Sequence, residues 1–178
     1  VGASATMSNL TVDANVTVGN GLSVTTSGTI TIASGRAITL ASTGSATQLS
    51  SNANTTYNGP GSILFGGTSS SNSITTSVGF ATLTLGAGLT VGGASSTRGG
   101  TVGSTNFVAF NNNATIAGVS GNTVSIVNLG TNAGVIDVTS GSTVTTSVAL
   151  INNGTIRGKG VLTIGGTGLL TSNGTLKP

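Results

Sequence analysis

Leu10-Thr11-Val12, Val16-Thr17-Val18, Leu22-Ser23-Val24, Ile30-Thr31-Ile32 and Ile38-Thr39-Leu40 follow one another near the start of the chain, each an aliphatic–hydroxyl–aliphatic triplet. Alternation with a period of two places both aliphatic side chains of a triplet on one face of a strand and the hydroxyl on the other. The same module returns as Leu83-Thr84-Leu85, Leu89-Thr90-Val91, Val124-Ser125-Ile126 and Leu162-Thr163-Ile164. Between the triplets lie short runs of Gly, Asn and Ser, residues that suit turns and tolerate unusual backbone angles. The first five triplets start at 10, 16, 22, 30 and 38, a spacing that fits a three-residue strand and a short corner.

Strands this short sit poorly in an antiparallel sandwich, where roughly five or six residues are usual. They suit a solenoid, in which each coil pairs in parallel with the coil before it. Three strands and three corners amount to about 18–24 residues per coil. The expected fold is therefore all-β: one parallel β-solenoid domain over 1–178, about eight or nine short coils, on the order of 40 Å long at one strand spacing per coil. A longer repeat agrees with this. Val16-Thr17-Val18-Gly19-Asn20-Gly21-Leu22-Ser23-Val24 matches Leu83-Thr84-Leu85-Gly86-Ala87-Gly88-Leu89-Thr90-Val91. A third copy, with one extra residue in its corner, runs from Leu162 to Leu170. Residues 41–62 and 66–77, dominated by Ser, Thr, Asn and Gly, read as looser corners or loops. Tyr57, Phe65, Phe80, Phe107 and Phe110 cluster in the middle of the chain and imply a wider core there.

Composition narrows the function. The 178 residues include five Lys or Arg, two Asp or Glu, and no His, Cys or Trp. Charged residues make up 4% of the chain, against roughly a quarter in an ordinary domain. A hydrophobic fraction of 36%, in patterned positions, separates the chain from disordered low-complexity sequence. The net charge of +3 is dispersed: Arg36, Arg98 and Arg157 are far apart, and only Arg157 and Lys159 are neighbours. Nucleic-acid binding calls for clustered cations with stacking aromatics, so no nucleic-acid partner is expected. No run approaches the roughly 20 apolar residues of a membrane helix, so no transmembrane segment is expected. The chain opens at Val1 rather than Met, which fits a processed, secreted product or a fragment.

The inventory of reactive groups is equally restrictive. Glycoside hydrolysis uses two carboxyl groups roughly 5–9.5 Å apart. Here Asp13 and Asp137 fall about six coils apart in the expected solenoid, close to 29 Å. Without His or Cys, the nucleophile–base systems of acyl transfer have no members. Calcium binding asks for several oxygen ligands, beyond what two isolated carboxylates supply. The Gly-x-Gly segments lack the strand-to-helix context and lysine of phosphate loops. The expectation is a non-enzymatic chain with no catalytic, cofactor-binding or metal-binding residues. Asn-x-Ser/Thr sequons at Asn9, Asn15, Asn54, Asn113, Asn153 and Asn173 are about as frequent as the Ser and Thr content dictates. Asn111-Asn112-Asn113 is read either as a corner with amides stacked along the solenoid or as a plain polar turn.

The C-terminal segment Asn152-Asn153-Gly154-Thr155-Ile156-Arg157-Gly158-Lys159-Gly160-Val161-Leu162-Thr163-Ile164, and then Thr171-Ser172-Asn173-Gly174-Thr175-Leu176-Lys177-Pro178, resembles the β-strand repeats of autotransporter passenger domains and haemagglutinin-like surface proteins. The resemblance is clearest over 150–178. It implies a right-handed parallel β-helix, secretion, and an adhesive or structural surface role. The functional expectation is an extracellular or cell-surface structural subunit that self-associates head to tail into a filament, sheath or matrix fibre. The alternatives are an adhesin stalk contacting glycans or a cell surface, a viral fibre or decoration protein, and, last, an ice-binding face built from Thr29-Ile30-Thr31, Thr82-Leu83-Thr84 and Thr143-Val144-Thr145.

Overall fold

The computed structural model describes residues 5–178. Every regular element among them is a strand, and every pairing is parallel. Three long strands open the chain on one sheet: β1 (Thr6–Val12), β3 (Ser23–Ile32) and β5 (Thr47–Asn58). The first half of β5 then pairs with β7 (Asn72–Thr76) and its second half with β8 (Thr82–Leu85). From that fork the sheet continues as two files. The first runs through β10 (Gly100–Gly103), β13 (Thr123–Val127), β16 (Thr143–Thr146) and β19 (Val161–Ile164). The second runs through β11 (Ala109–Asn112), β14 (Thr131–Asn132), β17 (Leu150–Asn152) and β20 (Leu170–Ser172).

A separate eight-stranded sheet forms the third face. It comprises β2 (Val16–Val18), β4 (Ala37–Ser42), β6 (Ser62–Gly67), β9 (Thr90–Gly92), β12 (Thr115–Ala117), β15 (Val135–Asp137), β18 (Thr155–Arg157) and β21 (Thr175–Lys177). The chain is thus a parallel β-solenoid with two sheets wrapped around one core, as the triplets predict.

The coil count differs from the expectation. The third face steps about seven times between β2 and β21, giving a length of roughly 34 Å rather than 40 Å at one strand spacing per step. Coils vary in circumference, which the average spacing hides. Cross-coil partners are 22 residues apart at the N-terminal end (Asn15 and Ala37), 28 apart in the middle (Asn54 and Thr82), and 20 apart toward the C-terminus (Asn132 and Asn152).

Two local expectations also need correction. Residues 41–62 and 66–77 are not mainly loop: β5 and β7 lie inside them. Their Ser, Thr and Asn side chains point inward in turn and find partners there. Thr47, Ser51, Asn72 and Thr76 are all buried. Among the described residues, no buried side-chain nitrogen or oxygen lacks a hydrogen bond. The early triplets also merge. Leu22-Ser23-Val24 and Ile30-Thr31-Ile32 are bridged by one ten-residue strand, β3, which turns its corner through a register shift between Thr26 and Gly28. Gly28 has φ 64°, and a Cβ there would run into the Asn9 amide, so the bulge specifies glycine.

Inward residues stack in files one coil per step. Ile38, Ile63, Val91, Ile116, Ile136, Ile156 and Leu176 are successive partners on the third face. Val24, Leu49, Ile74, Val102 and Ile126 do the same on the first. Fully burying each such aliphatic contributes about 1.5–3 kcal/mol, so the files stabilise the coils from end to end. The widest part holds the rings, as expected: Tyr57 and Phe65 are fully buried, and Phe107 and Phe110 nearly so. Phe80 is the exception at 69% exposure, because it lies in the corner between β7 and β8 rather than on a strand.

Candidate functional site

The two carboxylates lie at opposite reaches of the third face. Asp13 precedes β2 and Asp137 ends β15, five steps apart along the sheet order and about 24 Å by strand spacing, against six coils expected. Each is held by an arginine one coil further on. Asp137 Oδ2 accepts from Arg157 Nη2 at 2.8 Å and Nε at 3.0 Å. The pair is in register, Asp137 opposite Arg157, and Lys177 continues the file. Asp13 Oδ1 lies 3.6 Å from Arg36 Nε and is well exposed. Exposed ion pairs contribute about 0–1 kcal/mol, so these pairs set charge along an edge more than they hold the fold. Among the described residues, no group of three or more His, Cys, Asp or Glu is placed to hold a metal ion. No helix among them is long and apolar enough to cross a membrane.

Tyr57 is a titratable group with a strongly altered environment. Its ring is fully buried, and its hydroxyl is 2.8 Å from Thr26 Oγ1. Burial pushes the phenol pKa well above its usual range; the hydrogen bonds from Thr26 and Ser51 oppose this but are outweighed. The hydroxyl is enclosed by the core and serves packing.

The polar interior of the C-terminal half is an amide ladder. On the second face Leu85, Asn112, Asn132, Asn152 and Ser172 are successive partners. Asn112 Nδ2 donates to Asn132 Oδ1 at 2.7 Å, Asn132 Nδ2 to Asn152 Oδ1 at 2.8 Å, and Asn152 Nδ2 to Ser172 Oγ at 3.1 Å. All three asparagines are buried. Of the two readings of Asn111-Asn112-Asn113, stacked amides is the one formed, through Asn112. Three of the sequon asparagines are clamps as well. Asn9, Asn15 and Asn54 accept from the backbone N–H of Thr29, Ala37 and Thr82 on the following coil.

Outward polar side chains form files too. Ser23, Gln48, Ser73, Thr101, Ser125, Thr145 and Thr163 succeed one another on the first face. Thr29, Thr56, Thr84, Asn111 and Thr131 do so on the second, bringing Thr29 and Thr84 onto one line that sequence spacing obscured. Thr143 and Thr145 belong to the other face.

The solenoid's ends differ from its middle. Among the described residues β1 and β2 pair on one side only, and so do β19, β20 and β21. At the C-terminal end the inward file breaks the surface: Leu176 is 54% exposed, and Leu162 and Leu170 are only partly covered. Together with Val138 and Ile156 they line an apolar cleft at the end of the core, rimmed by Arg157 and Lys177. Sequence reasoning had no signal for this cleft, because Thr175-Leu176-Lys177 is patterned like its register partner Thr155-Ile156-Arg157, whose isoleucine is buried. No protein-family model matches the chain, and neither a curated protein nor a solved structure is similar to it.

Proposed function

We propose that the protein is a non-enzymatic structural element of an extracellular or cell-surface assembly, a solenoid subunit that joins head to tail into a filament, sheath or fibre. The observation that supports this reading is the uninterrupted parallel stack, in which strands and core files repeat coil on coil from β2 to β21. Open parallel edges are templates for further pairing, and single-molecule proteins commonly blunt them with charge, proline or a covering segment. The sparse charge supports the same reading, since a net +3 opposes the approach of two copies weakly. The separated, arginine-paired carboxylates provide no acid–base pair for hydrolysis.

Negative-stain microscopy and sedimentation of the 178-residue chain test the proposal. The expected result is rods whose lengths are multiples of about 34 Å and grow with concentration. Dispersed single particles of that length across a wide concentration range would overturn it.

A further inference from the structure

A second concavity lies on the flank of the solenoid, across the outer surface of the third face rather than at a strand edge. It is a groove of about 570 Å³ that spans β2, β4 and β6 and ends against the corner following β9. We infer that this groove binds an uncharged saccharide, a short stretch of a hexose-based glycan. The inference goes beyond the assembly reading and is independent of it, because the surface is lateral.

The groove forms where the coils widen. Register partners Val16 and Ile38 are 22 residues apart, Ile38 and Ile63 are 25 apart, and Ile63 and Val91 are 28 apart. Outward residues of the strands, Ala37, Thr39 and Ser62, are small and leave the space open. Corner residues Arg36, Pro60 and Ser95 border it. The border at Ser95 is held in place. In the corner 93–98, Ser96 Oγ accepts from Phe65 N at 3.0 Å, and Thr97 N and Arg98 N both donate to Phe65 O. Ser96 itself is buried.

The lining selects the ligand class. Hydroxyls of Thr39, Ser62 and Ser95 supply donors and acceptors, and Leu64 and Pro60 supply short apolar facets between them. A pyranose ring has the matching make-up, with hydroxyls around its rim and C–H groups on its faces. A few placed polar groups among apolar ones is the usual composition of a small-ligand site. Beside the groove Arg36 Nε and Asp13 Oδ1 are 3.6 Å apart, too far for a hydrogen bond, so both heads are open to sugar hydroxyls. Their charges offset each other, which suits an uncharged ligand over an anion. One arginine and no lining aromatic give nucleic acid no footing. A peptide cannot join as an added strand, because β4 already pairs with β2 and β6, and β6 with β4 and β9.

Nuclear magnetic resonance titration of the isotope-labelled chain tests the site. The probes are cellotetraose, mannotetraose and chitotetraose, with a galacturonate tetramer as the charged counterpart, each at millimolar concentration. The expected result is a saturable shift of the Thr39, Ser62 and Ser95 amide signals with at least one uncharged tetrasaccharide, and none with the galacturonate. Ser62→Trp fills the groove and should abolish the response. Arg36→Ala should weaken binding about tenfold, through loss of a charge-assisted hydrogen bond. Thr145→Trp, the same kind of change on the first face, should leave the affinity unchanged. Circular dichroism verifies that each variant folds, and the parent titration decides the matter without them. No saturable shift with any uncharged probe overturns the inference, as do shifts confined to other faces or to the galacturonate. Binding that survives in folded Ser62→Trp protein overturns the site.

Discussion

Asn132 shows how a polar residue can lie at the centre of a core that is otherwise aliphatic. Its Oδ1 accepts from Asn112, and its Nδ2 donates to Asn152 and to the Gly134 carbonyl, so each polar atom is matched. Asn132→Leu leaves a donor on one neighbour and an acceptor on the other unsatisfied in a buried site. At roughly 1–3 kcal/mol for each orphaned group, stability should fall by about 3 kcal/mol in urea unfolding. Asn153→Ala, at an exposed corner position, should stay within about 0.5 kcal/mol of the parent. Tyr57 sets a pH limit of a different kind. Its phenol stays protonated in the folded state, where burial holds its pKa above the ordinary value of about 10. Above that pH the unfolded chain binds fewer protons than the folded one. Stability is therefore complete below pH 10 and declines as pH rises past it, by up to about 1.4 kcal/mol per pH unit. Tyr57→Phe should lack this component of the alkaline decline, and thermal unfolding between pH 9 and 11.5 measures the difference.

At the scale of strands and corners, one local design is reused in different places. The copies beginning at Val16, Leu83 and Leu162 join the third face to the first, the second to the third, and the first to the second. In each a short backbone bond closes the corner: Leu22 N to Gly19 O, Leu89 N to Gly86 O, and Gly168 N to Gly165 O. The repeat seen in sequence is thus a repeat of strand, corner and strand, and not of position within a coil. Corner glycines nevertheless differ in what they resist. Gly67 has φ 78°, and a Cβ there would collide with the Ser42 carbonyl. Gly121 has φ 71° with open space around it. Gly121→Ala should cost about 1–2 kcal/mol from backbone strain alone. Gly67→Ala should cost clearly more, because the neighbouring coil must move; paired denaturation curves decide between them.

For the whole molecule, stability follows from stacking. Each coil touches its neighbours through parallel pairing and the inward files, so the total is close to a sum of coil and interface contributions. Removing residues 158–178 deletes β19, β20 and β21 and leaves β18 as the new edge of the third face. The shortened chain should keep the same β-sheet signal per residue in far-UV circular dichroism and melt a few degrees lower. Loss of the entire signal would refute coil-wise stability.

The sequence by itself determined the strand type, the parallel solenoid and the single core. Leu83-Thr84-Leu85 or Val124-Ser125-Ile126 carries its alternation within three residues, and no neighbour is needed to read it. The scarcity of charge and the isolation of Asp13 and Asp137 were likewise plain in composition and spacing. Tertiary structure alone decided which residues share a file. The merging of two triplets into β3, the inward turn of Thr26 and Ser51, and the alignment of Asn112 with Asn132 and Asn152 depend on coil circumference. That circumference runs from 18 to 28 residues. The sum of corner lengths around a closed turn sets it, so no local window contains it. Leu176 makes the same point at the surface: Thr175-Leu176-Lys177 is patterned like its register partner Thr155-Ile156-Arg157, yet Leu176 is 54% exposed and Ile156 is buried.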